Sequence, residues 1–144
     1  MSEDKALTVD LKLSLGYHHG FGAMSPFFRA LQHGQALGSC CPKCGDARFP
    51  PRHLCLHDRT PTEPKHLDGT GKIIRVTVGS IPIPLATPTQ EQAFAEIVID
   101  GTNNRVLARL SGNPARFCPG SKVRLVPPQN AVPHPIQLLV FEPY

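Results

Sequence analysis

From about Leu67 onward, apolar and polar positions fall in short alternating or β-branched runs. These are Gly71 to Ile81 (GKIIRVTVGSI), Phe94 to Asp100 (FAEIVID), Arg105 to Gly112 (RVLARLSG), Ser121 to Pro128 (SKVRLVPP) and Ile136 to Pro143 (IQLLVFEP). A period of two over such lengths is the mark of half-buried strands. The GTNN stretch at 101–104 between the second and third runs suits a turn with positive φ. With no helical stretch among them, the five runs predict a small antiparallel barrel over 67–144.

Upstream the texture differs. In SPFFRALQHGQALG (25–38), Ser25 can cap a helix and Pro26 suits its first position. Phe27, Phe28, Leu31 and Leu37 supply an apolar side, and Gly34 weakens the middle. Residues 25–39 are therefore expected to hold a short helix ending before Gly38. Residues 1–24 show no clear period. Their GYHHGFGAM segment reads either as a flexible leader or as an extension that orders on a partner, because Tyr17, Phe21 and Met24 are unfavourable to leave exposed.

Composition narrows the class. The chain has 144 residues, 40% of them apolar and 18% charged, which describes one ordinary globular domain, with or without a small appendage. That is too short for a large two-layer enzyme. Its 16 prolines disfavour long helices, since proline removes a backbone donor and blocks the helical turn before it. The net charge of +4 is carried by basic residues spread from Lys5 to Arg124 without a block, so a dedicated nucleic-acid protein is not indicated. No run approaches the ~18 apolar residues of a membrane span. The acidic start MSEDKALTVDLKLSLG does not read as a signal peptide. Four of the five cysteines lie between Cys40 and Cys55, which fits a reduced compartment and a metal better than a disulfide framework. The expectation is a cytoplasmic protein.

The cysteine segment is CCPKCGDARFPPRHLCLHD, residues 40–58. A C-P-x-C-G turn brings two thiolates onto one ion, and its glycine permits the tight turn; Cys41 to Gly45 matches it completely. Cys55 offers a third thiolate. The fourth ligand falls three residues on, at Asp58, a weaker donor than a thiolate. His57 is a chemically better zinc ligand one position off the register, and Cys40 and His53 are further candidates. The competing reading is a lost metal site whose thiols pack as small hydrophobes. With four protein ligands the zinc would be structural, since a catalytic ion keeps a water position. Residues 40–66 form the expected zinc ribbon of rubredoxin-like type, held by Zn2+ through Cys41, Cys44, Cys55 and Asp58.

The order of these parts resembles the bacterial and archaeal zinc-ribbon/OB-fold proteins that accompany thiolase-like acyl-CoA enzymes. The likeness rests on Phe27-Phe28, the Cys41–Gly45 knuckle, Phe49-Pro50-Pro51-Arg52 leading to Cys55, and Gly69-Thr70-Gly71 where the barrel begins. Leu107 to Leu110, Gly120 before Val123, and Val140-Phe141 add to it. The chain departs from the family at Asp58, where a fourth cysteine is usual. Within the family it is most similar to the small subunits of bacterial phloroglucinol acetyltransferase complexes. The resemblance implies a mainly β fold, with an N-terminal helix and ribbon followed by a five-stranded OB barrel. It also implies a non-catalytic scaffolding role, the reactive groups residing in thiolase-like and ketoacyl-synthase-like partner subunits.

The chain agrees by omission, as it contains no G-x-S-x-G elbow, phosphate loop or H-E-x-x-H. Tyr17, Phe21, Phe27, Phe28 and Phe49 are the candidate apolar anchors for partners, and Arg48 and Arg52 the polar ones. For each phenylalanine the competing reading is the chain's own core. Two other functions remain open. One is single-stranded nucleic-acid binding by the barrel, with Arg75, Arg105, Arg109, Lys122 and Arg124 supplying charge and Phe94, Phe141 and Tyr144 the aromatics. The other is acyl transfer by this chain alone, with His18 and His19 as bases.

Overall fold

The structure, a computed structural model, describes residues 7–80, 91–129 and 135–144. A single 3-10 turn, Gly22–Met24, leads into helix α1, Ser25–Gln32. Pro26 occupies the first turn as expected, but Ser25 does not cap the helix. Its hydroxyl instead donates back to the Gly22 carbonyl at 2.7 Å. The helix ends earlier than its sequence pattern predicts. Gly34 takes φ 67°, its amide donates to Leu31 O, and the Gln35 amide donates to Ala30 O. This pair of bonds is a Schellman stop. Glycine is required twice over here, because a Cβ would lie 2.6 Å from Pro127 Cδ.

The stretch after Gly34 is therefore strand, not helix. β1 (Ala36–Cys40) is the centre of a three-stranded antiparallel sheet with β2 (Ala47–Arg48) and β3 (Glu63–Leu67) on either side. Ala36 faces Leu67 and Cys40 faces Glu63. Gly38 lets β2 come close, since a Cβ there would meet Arg48 O at 2.6 Å. The Phe49–Pro50 peptide that follows β2 is cis.

The barrel comprises β4 (Thr70–Ser80), β5 (Glu91–Ile99), β6 (Arg105–Leu110), β7 (Lys122–Val126) and β8 (Val140–Pro143), closed in the order β4-β5-β6-β8-β7. This is the OB-type arrangement. It is mixed rather than purely antiparallel, because β6 and β8 run parallel at Arg109↔Val140 and Leu110↔Phe141. Inward positions alternate along β6 and β7: Val106, Ala108 and Leu110 on β6, and Val123 and Leu125 on β7. Small residues on β5, Ala93 and Ala95, share one buried cluster with Phe141 and Ile73. The register of β4 against β5 slips between Ile73 and Arg75, a bulge that bends the strand so that a short sheet can close. The IQLL part of the last run is not strand, because Pro135–Leu138 forms a single helical turn, α2, before β8. Ile81, at the end of the first run, lies outside the described residues.

Helix, ribbon and barrel share one core. Phe27 and Leu31 from α1, Ala36 and Phe49 from the ribbon, and the inward barrel residues belong to a single buried cluster. Polar bonds add to the union. The β5–β6 turn, with Gly101 at φ 82°, presents Asn103 and Asn104 to β2. The Ala47 amide donates to Asn103 Oδ1 at 2.8 Å, and the Asn103 amide donates to Ala47 O at 2.7 Å. Asn104 accepts from the Phe49 amide at 3.0 Å and donates to Phe49 O at 2.8 Å. The GTNN pattern by itself marks these asparagines only as turn residues. The structure shows that they also fasten the ribbon to the barrel.

Candidate metal centre

The two knuckles of the ribbon repeat one backbone plan. In the first, the Gly45 amide donates to Cys41 O and the Cys41 amide to Asp46 O, both at 2.9 Å. In the second, the Arg59 amide donates to Cys55 O at 3.1 Å and the Cys55 amide to Thr60 O at 2.9 Å. Gly45 and Arg59 hold equivalent places, with φ 74° and 57°. Arg59 is the sole non-glycine with positive φ among the described residues. This correspondence pairs Cys41 with Cys55 and Cys44 with Asp58. Asp58 is thus in ligand register, while His57 points from the position before it and is exposed, as is His53.

The donor atoms of Cys41, Cys44, Cys55 and Asp58 all lie within 4.8 Å of one another. Cys44 Sγ and Cys55 Sγ are 3.5 Å apart, and Cys41 Sγ is 3.8 and 3.9 Å from the two Asp58 oxygens. A tetrahedral ion with ~2.3 Å bonds to sulfur and ~2.0–2.2 Å bonds to oxygen needs donor separations of roughly 3.5–3.8 Å. The Cys44–Cys55 and Cys41–Asp58 separations match such an ion, and the remaining pairs lie within about 1 Å of that range. Cys40 stays outside the cluster, its Sγ near the Cys41 and Gly45 carbonyls.

The local field prepares these donors. The Thr60 backbone amide, followed by the Thr60 hydroxyl, holds Asp58 below the usual carboxylate range, and the amide bond to Oδ1 is 2.9 Å. The Cys44 amide draws the Cys41 thiol down against the opposing effect of burial. For Cys44, the Asp46 amide lowers the thiol, but the bond to Cys55, burial and the neighbouring Cys41 together push it up to about 11. Three sulfurs and a carboxylate this close repel one another when ionised. A divalent cation removes that repulsion and displaces the thiol protons. The His57 amide also points at Cys55 Sγ, 3.4 Å away.

The proposed anchors separate into two groups. Phe27 and Phe49 are buried and meet edge-on, with ring centroids 5.5 Å apart; they belong to the core and do not present a docking surface. Phe28 is half-buried and packs on Phe21 at 4.1 Å, and Tyr17 is exposed. Arg48 is held within the first knuckle by Asp46 at 2.7 Å. Arg52 donates its amide to Ser39 Oγ while its side chain faces solvent. It lines an open hollow of about 570 Å³ with His53, Leu54, Cys55, Leu56 and Arg59, flanked by the exposed Leu54 and Leu56.

Three of the five barrel cations named for nucleic acid are engaged in ion pairs. Arg75 and Arg105 pair with Glu96, and Arg124 with Glu142 at 2.6 Å. Phe94 and Phe141 are buried, leaving Tyr144 as the exposed aromatic. His18 and His19 are exposed, and no carboxylate contact to either is found among the described residues. No helix among the described residues is long and apolar enough to cross a membrane.

Fold and site together define a ribbon-and-barrel protein with a candidate centre of three sulfurs and one carboxylate. Solved structures share this fold, among them the following two. A chain of a Ltp2–ChsH2(DUF35) aldolase matches with a TM-score of 0.62 and 22% identity, covering 83% of this chain and 93% of its own. A DUF35-family protein of unknown function from Sulfolobus solfataricus matches with a TM-score of 0.61 and 21% identity, covering 89% and 90%. No protein-family model matches the chain, and no curated protein does.

Proposed function

We propose that this chain is a non-catalytic zinc-ribbon/OB-fold subunit that scaffolds a thiolase-like acyltransferase in the cytoplasm. The observation that carries the reading is the four-donor cluster set in a fold shared with a chain of the Ltp2–ChsH2(DUF35) aldolase. Zn2+ is the ion that suits three thiolates and a carboxylate in a tetrahedron. All four positions are filled by protein, so the ion's role is to hold the proline-rich ribbon together, which has little core of its own. The partners are a thiolase-like and a ketoacyl-synthase-like subunit, and the reaction is C-acetylation of a phloroglucinol-type phenolic, as in 2,4-diacetylphloroglucinol formation. Phe21, Phe28 and Tyr17 on one side, with Arg52, Leu54 and Leu56 on the ribbon, are the surfaces offered to those partners.

The test is reconstitution. The two partner subunits are co-expressed with and without this chain, and acetyl transfer to the phenolic is measured on the purified assembly. Assembly and activity are expected to depend on the chain, and a Cys41→Ser variant to lose assembly before chemistry. Full activity of the two larger subunits alone would overturn the reading.

A further inference from the structure

The leader carries a period that its glycines and histidines conceal. Leu7, Val9, Leu11, Leu13, Leu15 and Tyr17 occupy every second position, with Thr8, Asp10, Lys12, Ser14 and Gly16 between them. His19 and Phe21 continue the row. Alternation of this kind places all the apolar side chains on one face of a strand. On a helix the same positions would spread around the whole circumference, so neither a helix-in-groove ligand nor a helix lying on a membrane suits it. Yet residues 7–20 belong to no ladder, and the six apolar side chains from Leu7 to Tyr17 are between 72% and 95% exposed.

We infer that residues 7–17 are a strand awaiting a sheet, and that they add edge-on to an open β-sheet of the thiolase-like partner, with the odd-numbered side chains seated in an apolar groove beside that edge. This inference rests on the scaffold reading above. Burying an aliphatic side chain removes roughly 60–120 Å² of apolar surface. Five of them would hide about 300–600 Å² and Tyr17 about 150–250 Å², together from about half to all of the ~800 Å² that one partner contributes to a standard-size interface. Asp10 and Lys12 cancel in charge, so recognition would come from the ladder and the groove, as in other strand additions.

Among the described residues the chain offers no matching edge of its own. β2 has two residues, and β3 has five that include Pro64, which lacks the N–H a ladder needs. The run of β4 beyond its pairing with β7 and the bulge, Arg75–Ser80, is shorter than the arm. At its far end the apolar row is already fixed. Tyr17 stacks on His19 at 5.8 Å, His19 meets Phe21 edge-on at 5.2 Å, and Phe21 packs on Phe28 of α1. The docked strand would therefore run out from α1.

The experiment follows amide exchange of the full-length protein, alone and with the purified thiolase-like subunit of the same host. In the complex, exchange of alternate amides in 8–17 is expected to slow by about 100-fold or more, as hydrogen bonds form along the one paired side of the strand. Leu11→Lys with Leu13→Lys is expected to weaken binding at least ~10-fold per substitution. Thr8→Lys with Ser14→Lys, on the opposite face, should change it by less than about 3-fold. A complex whose arm exchanges freely would overturn the inference and leave the scaffold reading intact. Protection that appears without the subunit, together with a concentration-dependent dimer, would overturn it in favour of a second copy. No binding by the wild-type chain would overturn both.

Discussion

Removing the side chain of Asn104 tests how the ribbon is joined to the barrel. This one amide satisfies both backbone groups of Phe49, at 3.0 and 2.8 Å, and Phe49 is 1% exposed. In Asn104→Ala the Phe49 amide and carbonyl lose their partners in a place that water reaches poorly. A buried polar group left unpaired costs about 1–3 kcal/mol. Some solvent enters the space vacated by the side chain, so a total of about 2–4 kcal/mol is expected. For a chain of this size that lowers Tm by roughly 5–15 °C. Asn103→Ala is the internal control. It removes one bond, from the Ala47 amide, and leaves the Asn103 amide bonded to Ala47 O, so about 1 kcal/mol is expected. Thermal unfolding of the two variants, with amide exchange across 41–60, reads both the size and the place of the loss. Equal, small shifts in the two variants, with ribbon protection unchanged, would refute the argument that Asn104 is the fastening point.

Three further outcomes follow from the metal centre. Cys41→Ser removes a buried donor and should leave less than one equivalent of zinc after dialysis, with the ribbon amides exchanging faster than those of the barrel; retention of tight stoichiometric zinc would count against the ligand set. Because the metal-free Cys44 thiol is pushed up to about 11, zinc must displace its proton at neutral pH. Apparent affinity should therefore rise with pH, by at least about 100-fold from pH 6 to pH 8, the change for one displaced proton, and fall on acidification; a flat profile in a chelator competition would exclude Cys44. Arg59→Gly relieves a left-handed backbone at φ 57° and should stabilise the protein by about 1 kcal/mol, visible as a higher Tm, whereas destabilisation would mean that the arginine side chain has a role in the ribbon.

The barrel was legible because its strands alternate against a single core. β4 to β7 lie where the β-branched runs predict them, and the alternation in RVLARL maps directly onto Val106, Ala108 and Leu110 facing inward. The ribbon sheet was not legible. ALGSC is short and contains Gly38, whose value lies in letting Arg48 O approach, a property that appears only once β2 is in place. EPKHL is a charged, proline-bearing edge strand with no apolar face. IQLL read as strand from its apolar content, but Pro135 begins a helical turn there. The parallel β6–β8 pairing depends on how the chain returns to the barrel, which local pattern does not encode. At the site, spacing alone placed Cys41, Cys44, Cys55 and Asp58 in register. The roles of Asn103 and Asn104 depend on contacts more than fifty positions away in sequence, and no local signal marks them.

The central claim is that a tetrahedral zinc closed by three sulfurs and one oxygen organises the ribbon. X-ray absorption at the zinc edge of the purified, zinc-loaded protein tests it most directly. The expected first shell is three sulfurs at about 2.3 Å and one oxygen at about 2.0–2.2 Å, the oxygen disappearing in Asp58→Cys as a fourth sulfur takes its place. A shell containing an imidazole nitrogen from His57, or a protein that binds no stoichiometric zinc, would contradict it.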